Sequence, residues 1–158
     1  MHRIKILITL LALAFSQCPL RAGASTDPFV QSINTSWEAN DDAAVSKLIE
    51  ASLKERPEDL VVLNAAYNYY MLIRPDLAKL TTVASQIKAV CDKSSNNHEL
   101  QAYATRVQTR IAKLASEPLK PVDDQKRESI HKAFPKGFPG ITVGISLQES
   151  AKRARAGS

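Results

Sequence analysis

The side chains that could do chemistry are few, and the most informative are two amides. Asn64 and Asn68 stand at i and i+4 within Leu60–Ile73, the most continuously apolar stretch of the chain outside the N-terminus. Asparagine lowers helix propensity, and a buried amide must find hydrogen-bond partners. The pair therefore either serves a binding face or caps a neighbouring loop inside the core. His98 stands beside Glu99 at an expected helix start, and His131 lies in a charged segment near Glu128. Two imidazoles on separate segments with no thiolate partner make a poor zinc set. No G-x-S-x-G, H-E-x-x-H, C-x-x-C, P-loop or dinucleotide fingerprint occurs in the chain. The expectation is a protein with no catalytic residues, no metal and no cofactor. Asn34-Thr35-Ser36 is a glycosylation sequon, relevant only in a eukaryotic host.

The amides need a scaffold, and Leu60–Ile73 reads as its central helix. It holds three of the four tyrosines, mixes Leu, Ala and Met with them, and contains no Gly or Pro. A helix apolar on nearly every side must be covered by neighbours on several sides. From Ser25 to Pro135 there is no glycine, which suits an all-helical domain. Pro28 fits the first turn of a helix running to about Ala39, with Phe29, Ile33 and Trp37 on one face. Asn40-Asp41-Asp42 offers a cap for a second, faced by Val45, Leu48, Ile49 and Leu53, in which Glu50 can pair with Lys54. Arg56-Pro57 and Arg74-Pro75 end the second and central helices, because the residue before proline is pushed out of helical geometry. A fourth helix carries Leu77, Leu80, Ala84, Ile87 and Cys91 on one face, which makes Cys91 a buried free thiol. A fifth opens near Asn96 and Glu99, carries Leu100, Tyr103, Val107, Ile111 and Leu114, and closes at Pro118 and Pro121.

The two ends differ from this body. His2, Arg3 and Lys5 precede the apolar run Ile6–Phe15, and Ala22-Gly23-Ala24 supplies small residues for cleavage, the layout of a secretory signal peptide. A lipoprotein processed at Cys18 is disfavoured, since Gln17 stands where Gly or Ala is expected. Removing residues 1–24 leaves eighteen basic against sixteen acidic groups, about +2 instead of the full chain's +5. That balance gives no case for nucleic acid, and the apolar run is short for a permanent membrane span. Residues 118–134 read as a linker and a short charged helix showing Ile130, Ala133 and Phe134 to a core. Four of the five glycines fall after Pro135 or within the last residues, and Ile141, Val143, Ile145 and Leu147 alternate with a period of two. Residues 135–158 are therefore expected to be a short non-helical, extended or flexible tail.

The body resembles the tetratricopeptide repeat. Ala44, Leu48 and Ala51 have the A-x3-F-x2-A spacing of that family's second helix, and Ala78, Thr82 and Ser85 follow at its thirty-four-residue period. Between them Val62, Ala65, Ala66 and Tyr69 fill the W-x2-L-G-x2-Y positions of a first helix, and Tyr69 to Tyr103 is again thirty-four. Ala66 replaces the motif's glycine and Thr82 its bulky residue; the resemblance covers about residues 40–90. It implies an all-α array of antiparallel helix hairpins, about five helices over residues 25–117, with small residues at 44, 51, 66 and 78 letting helices approach. It also implies a concave groove lined by first-helix side chains that grips peptide backbones, which would recruit Asn64, Tyr67 and Asn68. Two functions follow as expectations. One is an exported, non-enzymatic module binding a protein or peptide partner in the groove. The other is a subunit of an envelope or secretion assembly, docking through Ile141, Val143, Ile145 and Leu147.

Overall fold

The computed structural model describes residues 27–117 and 119–157. The expected leader 1–24, with Cys18, and the expected stop at Pro118 lie outside the described residues. Everything described is helix or connection: α1 Pro28–Glu38, α2 Asp42–Glu55, α3 Leu60–Asn68 continuing as a π-helical turn Tyr69–Ile73, α4 Leu77–Asp92, α5 His98–Ser116, α6 Asp124–Ala133 and α7 Ile141–Ala156. Six of the seven described helices start alike for a physical reason. Asp27, Asp41, Asp59, Asp76, Asn97 and Asp123 each turn a side-chain oxygen onto a main-chain N–H of the first turn, satisfying one of the donors a helix leaves orphaned. The prolines end α2 and the π turn where expected, at Arg56 and Arg74.

The hairpins pack in chain order, α1 on α2, α2 on α3, α3 on α4 and α4 on α5. Leu60 to Tyr67 are all buried, so α3 is the central helix, as its composition requires. Trp37, Ile49, Leu63, Tyr69, Leu80, Ile87 and Leu100 are the large side chains that close the core around it. Cys91 belongs to the same core as a free thiol, and desolvation pushes it up to about 11. Helix α5 also stitches itself to α4 through Gln101 and Gln108, whose amides donate to the carbonyls of Cys91 (2.8 Å) and Ala84 (2.9 Å).

Several expectations are corrected. Seven helices are present among the described residues: α1–α5, the short charged helix expected within 118–134 as α6, and α7, where a non-helical tail was expected. Ile141, Gly144, Leu147, Ser150 and Ala151 form its buried stripe at helical spacing. Glycine and serine occupy two of those places, so an apolar count sees only the alternation of Ile141, Val143, Ile145 and Leu147. Helix α5 is capped by Asn97, one residue later than expected, and Glu99 instead accepts from Ser150 Oγ at 2.8 Å. Glu50 pairs across to Lys79 of α4 at 2.9 Å. Of the side chains expected to face the core from α6, Ile130 does, whereas Ala133 and Phe134 are exposed. Ala66 is fully buried, but Ala51, Ala78, Thr82 and Ser85 are exposed. In place of close packing at those small residues, a surface pocket of about 530 Å³ opens between α2 and α4 over Leu53, Tyr70 and Val83.

Candidate functional site

The polar groups inside this apolar body converge on one segment. Residues 134–151 cross in turn α1, α3 and α5, and an asparagine from each helix meets its main chain. On α1, Asn34 Oδ1 accepts from the N–H of Phe138 at 2.9 Å. On α3, Asn64 Nδ2 donates to the carbonyl of Gly140. At the start of α5, Asn97 Nδ2 donates to the carbonyl of Ser150 at 3.3 Å and to its hydroxyl at 2.9 Å. Trp37 Nε1 adds a fourth bond, to the carbonyl of Phe134 at 2.9 Å. The segment returns two: Gln148 Oε1 accepts from the N–H of Leu60 at 3.0 Å, capping an otherwise open donor of α3, and Ser150 Oγ donates to Glu99 Oε2 at 2.8 Å.

Asn64 is the buried centre of this set. Its Oδ1 accepts from the Tyr103 hydroxyl of α5, so one amide joins α3, α5 and the segment. Burial holds the Tyr103 phenol well above its ordinary range, which keeps it protonated and donating. Asn68 is half-buried; its amide donates to the Asn64 carbonyl at 2.8 Å, and it abuts Gly140. Tyr67 is buried, with its phenol raised by desolvation, and presents little surface to a partner. Sequence reasoning therefore found Asn64 and Asn68 but not what meets them.

Two glycines make the approach possible. Gly140, at φ 88°, lies where a Cβ would stand 2.8 Å from Asn64 Nδ2 and still closer to Asn68. It combines a left-handed conformation with a contact only hydrogen fits. Gly144 lies on α7 where a Cβ would stand 2.8 Å from Val61 Cα and 3.1 Å from the Leu60 carbonyl, so the helices touch backbone to backbone. Phe138, Pro139, Ile141, Leu147 and Ala151 are the segment's own buried side chains. Of the four residues expected to dock on a partner, Ile141 and Leu147 are thus committed to the protein's own core and Ile145 is half-buried. Only Val143 is half-exposed, and with exposed Phe134 it borders a surface pocket of about 430 Å³.

The remaining candidates sit apart. His98 is exposed at the first residue of α5. His131 stacks on Trp37 with 3.5 Å between ring centroids, and its Nε2 lies 3.7 Å from Asp42 Oδ1, while Arg127 Nε reaches Asp42 Oδ2 at 3.1 Å. No group of three or more His, Cys, Asp or Glu among the described residues is placed to hold a metal ion. No described helix is long and apolar enough to cross a membrane.

Sequence reasoning missed Asn34, Asn97, Gly140 and Gly144. One signal was available: Asn34 and Asn68 are thirty-four positions apart, and both meet the segment at neighbouring residues, 137–138 and 140. A second was the doubled step Phe134-Pro135 and Phe138-Pro139. Comparison with protein-family models, with curated proteins and with solved structures gives no match for this chain.

Proposed function

We propose that the protein is an exported, non-enzymatic interaction module that holds a protein or peptide partner across the face formed by α1, α3 and α5. One observation carries this reading. Asparagines on three different helices bond to main-chain atoms of a single crossing segment, and main-chain bonds recognise a peptide with little demand on its sequence. The thirty-four-residue spacing of Asn34 and Asn68 agrees with the tetratricopeptide-like register, in which first helices line the groove.

The test is affinity capture from an exported fraction by the wild-type chain and by Asn68→Ala. Asn68 is chosen because its amide is already satisfied inside α3, so truncation alters the face without orphaning a buried partner. A partner held by the wild type and released by the variant, at unchanged circular dichroism, is the expected result. Equal capture by both chains would refute the groove. Export itself predicts an intact mass beginning at Ser25.

A second reading, an assembly subunit docking through the C-terminal segment, draws on the exposed Phe134 and Val143. It predicts that Val143→Asp abolishes assembly at unchanged stability, whereas Asn68→Ala leaves assembly intact.

A further inference from the structure

We infer that residues 134–151 are a resident ligand of the α1–α3–α5 face, and that the partner this face takes is a protein segment of the same chemistry: an aromatic-proline turn running into a helix with glycine at its crossing point. The inference rests on the groove reading and adds what fills the groove and what must leave it. The segment makes the contacts expected of a bound peptide. Its carbonyls and N–H groups go to Asn34, Trp37, Asn64 and Asn97, its Phe138 ring meets Trp37 edge-on at 5.2 Å, and its glycines allow an approach no other residue permits. Chemistry of this kind is readable in a second chain, because most of it is addressed to the main chain and to two or three side chains.

The segment seats on the body chiefly through α7, which packs on α3 and α5. The hairpins α1 to α5 pack on one another through their own contacts. The connection to α6 is short and largely exposed at Glu117, Lys120, Pro121 and Asp123. Helix α6 is tied to α2 by Asp42, through the Arg127 and His131 contacts, to α1 by the His131 stack on Trp37, and to the core by Ile130. On α7 the side away from the body carries Thr142, Ser146, Glu149, Lys152 and Arg153, so the released segment is a solvated amphipathic helix.

The full chain tests this with two measurements. In native-state hydrogen exchange, amides of α7 are expected to exchange through an opening that leaves α3 and α4 protected. Exchange of α7 only together with α3 would overturn the resident-ligand inference while leaving the groove reading untouched. For the second, a fluorescein-labelled peptide with the sequence of residues 134–157 is added to the wild-type chain and to the chain carrying Gly144→Ala, which loosens the resident segment and leaves every residue of the face in place. The variant chain is expected to capture the peptide on the order of tenfold more tightly than the wild type. Equal capture by both chains overturns the gating. Opening in hydrogen exchange without capture of the peptide overturns the groove reading and the partner class with it. The same peptide carrying Gly144→Leu is expected not to bind, and its equal binding would overturn the assigned chemistry.

Discussion

Gly144→Ala discriminates sharply between a helix pressed onto α3 and any looser arrangement of the C-terminal segment. In a helix interior, replacing glycine by alanine gains about 0.8–1.0 kcal/mol of propensity. Here the added methyl would sit 2.8 Å from Val61 Cα and 3.1 Å from the Leu60 carbonyl, both main-chain atoms of the most buried helix. Carbon atoms in contact prefer about 3.5–4.0 Å, so α7 must retreat by somewhat under or about 1 Å along its contact line. No rotamer can relieve a clash with backbone, which puts the cost toward the top of the roughly 1–3 kcal/mol for overpacking a core. Subtracting the propensity leaves a net loss of about 1–2 kcal/mol. For a domain of this size each kcal/mol lowers Tm by roughly 3–6 °C. Ser146→Ala, at an exposed position of the same helix, is the control and should gain a few tenths of a kcal/mol, about the propensity difference. Urea melts read both by circular dichroism and by the emission of Trp37, the only tryptophan, would separate the segment from the body. Trp37 touches Phe138, His131 and the Phe134 carbonyl, so its emission reports the segment first. A Gly144→Ala chain as stable as Ser146→Ala would refute the close approach.

Other perturbations test the rest of the frame. Leu63→Ala removes a fully buried side chain of α3 and should cost about 2–5 kcal/mol, whereas Lys54→Ala at the surface should stay within about 0.5, both read from urea midpoints. Asn64→Ala leaves the Tyr103 hydroxyl buried without its acceptor and should cost about 1–3 kcal/mol. Adding Tyr103→Phe should recover part of that loss, and strictly additive losses in the double-mutant cycle would deny the bond. The Arg56 guanidinium, first through its hydrogen bonds, holds the Asp27 carboxyl below its usual range. A depressed carboxylate contributes stability above its unfolded value, near 4, and loses it as pH falls through the folded one. Asp27→Asn keeps a capping side chain but should flatten the acid limb below about pH 4; an unchanged acid limb would mean that the pair carries no linkage. Cys91 should resist alkylation at pH 8 until the protein unfolds, since burial raises its thiol to about 11.

The helical body was legible in the sequence because its signals are local. The Asn40-Asp41-Asp42 cap, the prolines just past the ends, and the crowded Leu60–Ile73 run each act within a turn or two of chain. The misread part depended on partners far away in sequence. A strand pattern at residues 141–147 is a statement about apolar side chains alone, whereas α7 buries Gly144 and Ser150 because Val61 and Asn97 are there to receive them. The tyrosine-rich α3 gave the same lesson from the other side: its asparagines were visible, but their meaning rests on Gly140, seventy-six positions beyond Asn64.

That distance also bears on which reading of the asparagines holds. Core satisfaction and peptide gripping are usually opposed, yet on the groove reading proposed above the same bonds would serve both. While the segment is seated, Asn64 is a buried amide with both ends occupied, and its loss is a stability defect. If the segment leaves, Asn34, Asn64 and Asn97 lose their bonds to it together, at places set by three helices that do not depend on it for their own hairpin contacts. Water would satisfy those groups in the open state, and a second main chain of the same shape would satisfy them without water. On the groove reading proposed above, such a main chain would need glycine at the crossing, because a Cβ at Gly144 would stand 2.8 Å from Val61 Cα.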